Sequence, residues 1–325
     1  MKKKILLIIS ILLIATTSVK ATIQTGSDTI SLVFTTKEEA AKLLQQDDDF
    51  TRNWSKFDYV CYTGQSNGTK EDFNRFIAEQ TREWTPEEKE LLLAASQDFN
   101  RFIKQQGLKF SFPSEIQMLK TTMAEAKGAG GYTRDKYIVL INRLLTAPKE
   151  KVTTLLAHEL FHILTRNNPE FRKKMYSLID FHVLPKKITF PTELKERIIS
   201  NPDVPPHDSY STFTINGKQQ DCCMVIYTHK PYDGGTLMDY INVGFVPIDK
   251  QSGKALEKDG KAIIYSIYDC SDFEKKIGAN TQYIIDPEEV LADNFSFLLT
   301  DVKELASPKL VEQMKEACKM NTGSN

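Results

Sequence analysis

The decapeptide "LLAHELFHIL", residues 155 to 164, sets two histidines and a glutamate inside an otherwise apolar run. His158 and His162 are four positions apart, so on an α-helix their rings stack one turn apart on one face, near enough for both imidazoles to bind one ion. Glu159 projects toward the same side but displaced, where it can hold a metal-activated water rather than the metal itself. The flanking Leu155, Leu156, Leu160, Phe161, Ile163 and Leu164 leave the helix apolar nearly all round, which predicts a buried helix. A lone histidine there would be an ordinary packed residue. The H-E-x-x-H spacing gives this pair a chemical purpose.

Two histidines do not complete a catalytic zinc site, which takes three protein ligands and leaves a fourth position for water. Downstream, the candidates for the third are His182, His207, His229, the cysteines, and the carboxylates of "DPEEVLADNF", residues 286 to 295. In that last stretch Glu289 and Asp293 are four apart and share one helical side. One carboxylate of such a pair can bind zinc while the other accepts the N–H of a ligating imidazole and fixes its tautomer. The competing account is local. Asp286 caps the helix, Pro287 opens it, and Glu289 occupies the capping-box position. Capping leaves Asp293 unexplained among Leu291, Ala292, Phe295 and Phe297, where an unpartnered acid is expensive.

Together, H158-E159-x-x-H162 and E289-x-x-x-D293 resemble the gluzincin group of zinc metallopeptidases, the thermolysin-like type. The resemblance implies an α+β, zincin-like catalytic domain, Zn2+ as cofactor, a peptide or protein substrate, His158, His162 and Glu289 as ligands, Glu159 as general base, and Asp293 behind a ligand histidine. It also implies that "KYIVLI", residues 136 to 141, which reads as a core strand in its own right, is at the same time the strand beside the cleft, where an extended peptide can add as a further strand. The pattern departs from the group in one respect: 126 residues separate His162 from Glu289, more than in thermolysin itself.

Peptide hydrolysis also needs a donor for the oxyanion. The long insert supplies His207, Tyr210, His229, Tyr240 and Tyr283, and "NPDVPPHDSY" singles out His207 and Tyr210 on a loop stiffened by prolines. Two other functions fit the same motif: an exported protein in which zinc only holds the fold, and a zinc hydrolase acting on a non-peptide substrate. Glu159 favours an enzyme, because a structural site is closed by four protein ligands and has no use for a carboxylate beside a water position.

The rest of the chain sets the context. "MKKKILLIISILLIATTSVKA" has three lysines, an apolar run and a small-x-small end, so residues 1 to 21 read as a secretory signal peptide. The run is too short for a comfortable membrane span, which predicts a soluble exported protein, periplasmic or secreted, with no stable membrane insertion. A formal net charge of -1 offers nothing to a nucleic acid. Five cysteines (Cys61, Cys222, Cys223, Cys270, Cys318) enter a compartment where disulfides can form, and the odd count leaves at least one unpaired. Cys222 and Cys223 lack a C-x-x-C partner, which favours packing or a disulfide over metal binding.

Residues 22 to 110 read as a helical N-terminal part, with a helix opened by Thr35 and Glu38 as a capping box, another over "TKEDFNRFIAEQTREW", and a third running from Thr85 as cap to Gly107 as stop. The hexapeptide DFNRFI occurs at 72 to 77 and 98 to 103 and predicts two similar packing faces, not a repeat protein. From 111 to 325 the pattern is that of a catalytic domain: strands "EIQMLKTT" and "KYIVLI" joined by a loop with Gly128, Gly130 and Gly131, the H-E-x-x-H helix, a helix at "PEFRKKMYSLIDF", a β-rich insertion over about 183 to 275, and a helical tail.

Overall fold

After strand β1 (Leu32–Phe34) come helices α1 (Lys37–Leu44), α2 (Lys56–Thr63), α3 (Lys70–Gln80) and α4 (Pro86–Gln106). Strands β2 (Ile116–Thr121), β3 (Gly131–Arg134) and β4 (Tyr137–Ile141) follow, then the long helix α5 (Lys149–Asn167) and α6 (Pro169–Ser177). The next stretch holds β5 (His182–Val183), α7 (Thr192–Lys195), β6 (Ser209–Ile215), β7 (Lys218–Tyr227) and β8 (Asn242–Asp249). It continues with the two-residue strands β9 (Lys254–Ala255), β10 (Glu257–Lys258), β11 (Lys261–Ala262) and β12 (Tyr265–Ser266). Helices α8 (Phe273–Ile277), α9 (Pro287–Leu299) and α10 (Pro308–Cys318) are the last among the described residues. This computed structural model describes residues 27–127, 129–204 and 207–319. The expected signal peptide, residues 1 to 21, and Gly128 lie outside the described residues.

The fold is α+β. A four-stranded sheet runs β1-β2-β4-β3, parallel except for β3, which pairs antiparallel with β4 and forms one edge. Both faces are covered. Ile138 and Leu140 of β4 join the large core with α4, α5 and α9, while Tyr137 and Val139 face a second core built with Phe50, Trp54, Phe73 and Ile77. Alternate side chains point to opposite faces, so a strand buried on both sides reads as the continuous apolar run "YIVLI". Residues 136 to 141 thus form a core strand as expected, but β4 is paired on both sides and the strand beside the cleft is the short β3 next to it.

Residues 27–110 are not a separate helical body, because β1 belongs to the same sheet and Leu92, Phe99 and Ile103 of α4 lie in the same core as Leu156 and Leu160 of α5. The two DFNRFI copies face different cores, Phe73 and Ile77 in one, Phe99 and Ile103 in the other. Helix α1 is opened by Thr36 with Glu39, one residue later than the expected Thr35 and Glu38. Thr85 and Gly107 bound α4 as the sequence predicts, Gly107 at φ 62°. The insertion is β-rich: β12-β8-β7-β6-β5 form one sheet, with the β6–β7 turn at Asn216 and Gly217 (φ 50° and 75°) matching the Asn-Gly hairpin signature. All five cysteines are free thiols.

Candidate metal centre

Helices α5 and α9 pack against one another and bring the two sequence motifs together. His158 Nε2 lies 3.1 Å and His162 Nε2 3.6 Å from Glu289 Oε2, and the two imidazole centroids are 4.9 Å apart. These spacings suit three ligands on one ion, since bonds of about 2.0–2.1 Å in a tetrahedron put neighbouring ligand atoms roughly 3.3 Å apart. Asp293 Oδ1 is 2.8 Å from His158 Nδ1, the expected carboxylate behind a ligand. Glu289 does not act as a cap. The cap is Asp286, whose side chain accepts from Glu288 N.

The site fits a cation by its own chemistry. His162 Nε2 is fully buried and has no hydrogen-bond partner among the described residues, and a buried polar atom left without a partner calls for an explanation. The opposite nitrogen, Nδ1, is 3.2 Å from Glu288 Oε1. Burial disfavours a charged imidazole, but hydrogen bonds to Asp293 and Glu289 outweigh it and push His158 up to about 10. Glu289 is held well below the usual carboxylate range, against the effect of its burial, by the two histidines. Burial raises Glu159 and Asp203, which sit near one another, so without a cation both carboxyls favour their neutral forms, and a divalent ion beside them would favour the ionised ones.

Glu159 is buried beside His158, His162 and Glu289. Its Oε2 accepts from Thr133 Oγ1 at 2.7 Å, which fixes the carboxylate and turns Oε1 toward Gly131. A cleft of about 700 Å³ opens here, lined by His158, Glu159 and Glu289 and walled by apolar side chains, among them Phe50, Phe73 and Ile285.

His207 and Tyr210, expected to donate to an oxyanion, do not line this cleft. Tyr210 pairs with His182 across β5 and β6, its ring 5.3 Å from the imidazole, and His207 packs on Phe190 in a separate cavity. The other histidines are likewise elsewhere: His182 is exposed and His229 meets Tyr227 edge-on. Of the tyrosines considered, Tyr283 does line the cleft, its ring 6.4 Å from His158.

Sequence reasoning missed four participants. Glu288 carries His162 Nδ1 and also accepts from Tyr176 at 2.8 Å and from Thr165. Thr133 holds Glu159, Asn201 donates to Glu289 Oε1, and Asp203 accepts from Thr133 N. Oxygens of Glu159 and Asp203 and a ring nitrogen of His162 lie within 4.8 Å of one another. Glu288 alone left a local trace, as a second acid beside Glu289 in the first turn of α9. Comparison with known protein families, curated proteins and solved structures finds no match.

Proposed function

We propose that the chain is an exported zinc-dependent metallopeptidase of the gluzincin kind, with a zincin-like catalytic domain. The observation that carries this is the convergence of His158, His162 and Glu289 on one point beside Glu159, in a cleft open to substrate. Two imidazoles and one carboxylate are a catalytic zinc set, leaving a position free. Bound there, zinc supplies a Lewis acid that acidifies water and polarises a carbonyl.

The chain's own residues do the rest. Asp293 and Glu288 hold Nδ1–H of His158 and His162, leaving each Nε2 lone pair for the metal. Glu159 takes a proton at Oε1, while Thr133 keeps Oε2 engaged, and returns it to the leaving nitrogen. Tyr283, at the cleft and close to His158, takes the oxyanion role in place of His207 and Tyr210. The apolar walls favour a peptide with large apolar side chains. Among the described residues no helix is long and apolar enough to cross a membrane.

A non-catalytic zinc protein has one observation in its favour: Asp203 lies near His162 and Glu159, where a small shift supplies a fourth ligand. The same experiment separates the two. The purified protein is expected to hold one zinc, lost in His158→Ala with His162→Ala, by elemental analysis. Zinc-loaded Glu159→Gln should cleave a broad peptide library at least about 100-fold more slowly than wild type, read by mass spectrometry, since a general base is worth that much or more. Full zinc in the double variant, or equal digestion by Glu159→Gln, sinks the proposal.

A further inference from the structure

The 126 residues between the motifs send one turn into the metal centre, Asn201-Pro202-Asp203. Its anchors are numerous. Ser200 N and Oγ donate to the buried Asp58 carboxylate at 3.0 and 2.8 Å, Tyr62 OH donates to Ser200 O at 2.6 Å, and Arg166 donates to Pro202 O. Asp203 N donates to Asn201 Oδ1 at 3.0 Å, closing an Asx turn. That bond also settles the amide's orientation, because Oδ1 is engaged as acceptor and Nδ2 must face Glu289.

We propose that Asn201 is a positioning residue of the metal centre, contributed by the inserted segment: its Nδ2 engages Glu289 Oε1 and leaves Oε2 as the single oxygen presented to the ion. This rests on the metal-centre reading above. The physical need is plain. Helix α9 fixes the Glu289 backbone, but the terminal carboxylate torsion is soft and two-fold, so either oxygen, or both, can turn to a cation. A donor on a rigid turn removes that freedom before the ion arrives, and partners of this sort typically change metal affinity by about 10–100-fold. The insertion is then part of the site and not an appendage to it.

The test compares wild type with Asn201→Ala and Asn201→Ser. Serine keeps a hydroxyl that can accept Asp203 N and so keeps the turn, but is too short to reach Glu289. Zinc affinity is measured by competition with a chromogenic chelator, coordination by the visible spectrum of the cobalt-loaded protein, and folding by the thermal midpoint of metal-free protein. Expected for both variants is zinc binding about 10–100-fold weaker, a cobalt spectrum shifted toward higher coordination as Oε1 joins the ion, and an unchanged metal-free midpoint in Asn201→Ser. Wild-type affinity and spectrum in both variants overturn the proposal, as does a loss of affinity matched by a fall in the metal-free midpoint of Asn201→Ser. A wild type that takes up no zinc overturns the metal-centre reading itself, and the role of Asn201 with it.

Discussion

Replacing Gly131 by alanine tests whether Glu159, the proposed base, depends on a close backbone approach. A Cβ at this first residue of β3 would lie 2.9 Å from Leu140 Cδ2, 3.0 Å from Glu159 Oε1 and 3.2 Å from Val139 O. The last is backbone inside the sheet and cannot recede. Glu159 is pinned on its other oxygen by Thr133, so relief comes from moving the carboxylate by a few tenths of an ångström, or from displacing the edge strand. Overpacking of this kind costs about 1–3 kcal/mol in stability. A 1 Å misplacement of a catalytic group can cost about 100-fold in rate, so the smaller shift here predicts a loss on the order of 10-fold, up to about 100-fold. Zinc affinity should not change, because no ligand touches the new methyl. The assay is peptide cleavage by zinc-loaded Gly131→Ala beside its chelator-competition titration and urea unfolding. Wild-type cleavage, or a rate loss that simply follows zinc loss, refutes the argument.

Other consequences follow from the same geometry. Glu289→Ala should abolish tight zinc binding, while Asp293→Ala, which removes only the partner of His158 Nδ1, weakens it about 10–100-fold; equal effects in a chelator titration count against the division of roles. Glu288→Ala leaves the buried His162 Nδ1 without its partner and takes one of two from Tyr176 OH and Thr165 Oγ1, so urea unfolding should show a loss of about 1–3 kcal/mol, and an unchanged midpoint contradicts it. Burial, only partly opposed by Asp208, lowers His207 to about 4. A histidine depressed below its unfolded value of about 6.5 contributes stability that is present above that pH and is lost as pH falls toward 4. His207→Gln should therefore show a shallower decline of urea midpoint over that window, and parallel curves refute it. Burial pushes the Cys61, Cys222 and Cys318 thiols up to about 12, so a thiol reagent should find little beyond Cys270 in native protein and all five cysteines after unfolding; fast labelling of Cys61 in native protein contradicts this.

What the sequence determined by itself was local and periodic. Four-residue spacing places His158 over His162, and Glu289 over Asp293, on any α-helix, so these side chains, with Glu159 beside the first, were legible as one candidate centre before any fold was known. The caps at Thr85, Gly107 and Asp286 were legible for the same reason, since each depends on a few neighbouring residues. Tertiary structure decided what depends on distant pairing. "KYIVLI" has the stronger strand signal because apolar side chains fill both its faces, yet the strand beside the site is "GYTR", short and weakly patterned because its buried Thr133 and Arg134 are polar and bond Glu159 and Asp48. His207 and Tyr210 had suitable chemistry, but the pairing of β5 with β6 carries Tyr210 to His182, and His207 goes to another cavity. Thr133, Asn201 and Asp203 reach the centre from 26 residues before Glu159 and 88 residues before Glu289, and from the same inserted turn. No periodicity links positions so far apart; only the packing of α5, α9, β3 and that turn puts them within hydrogen-bond reach.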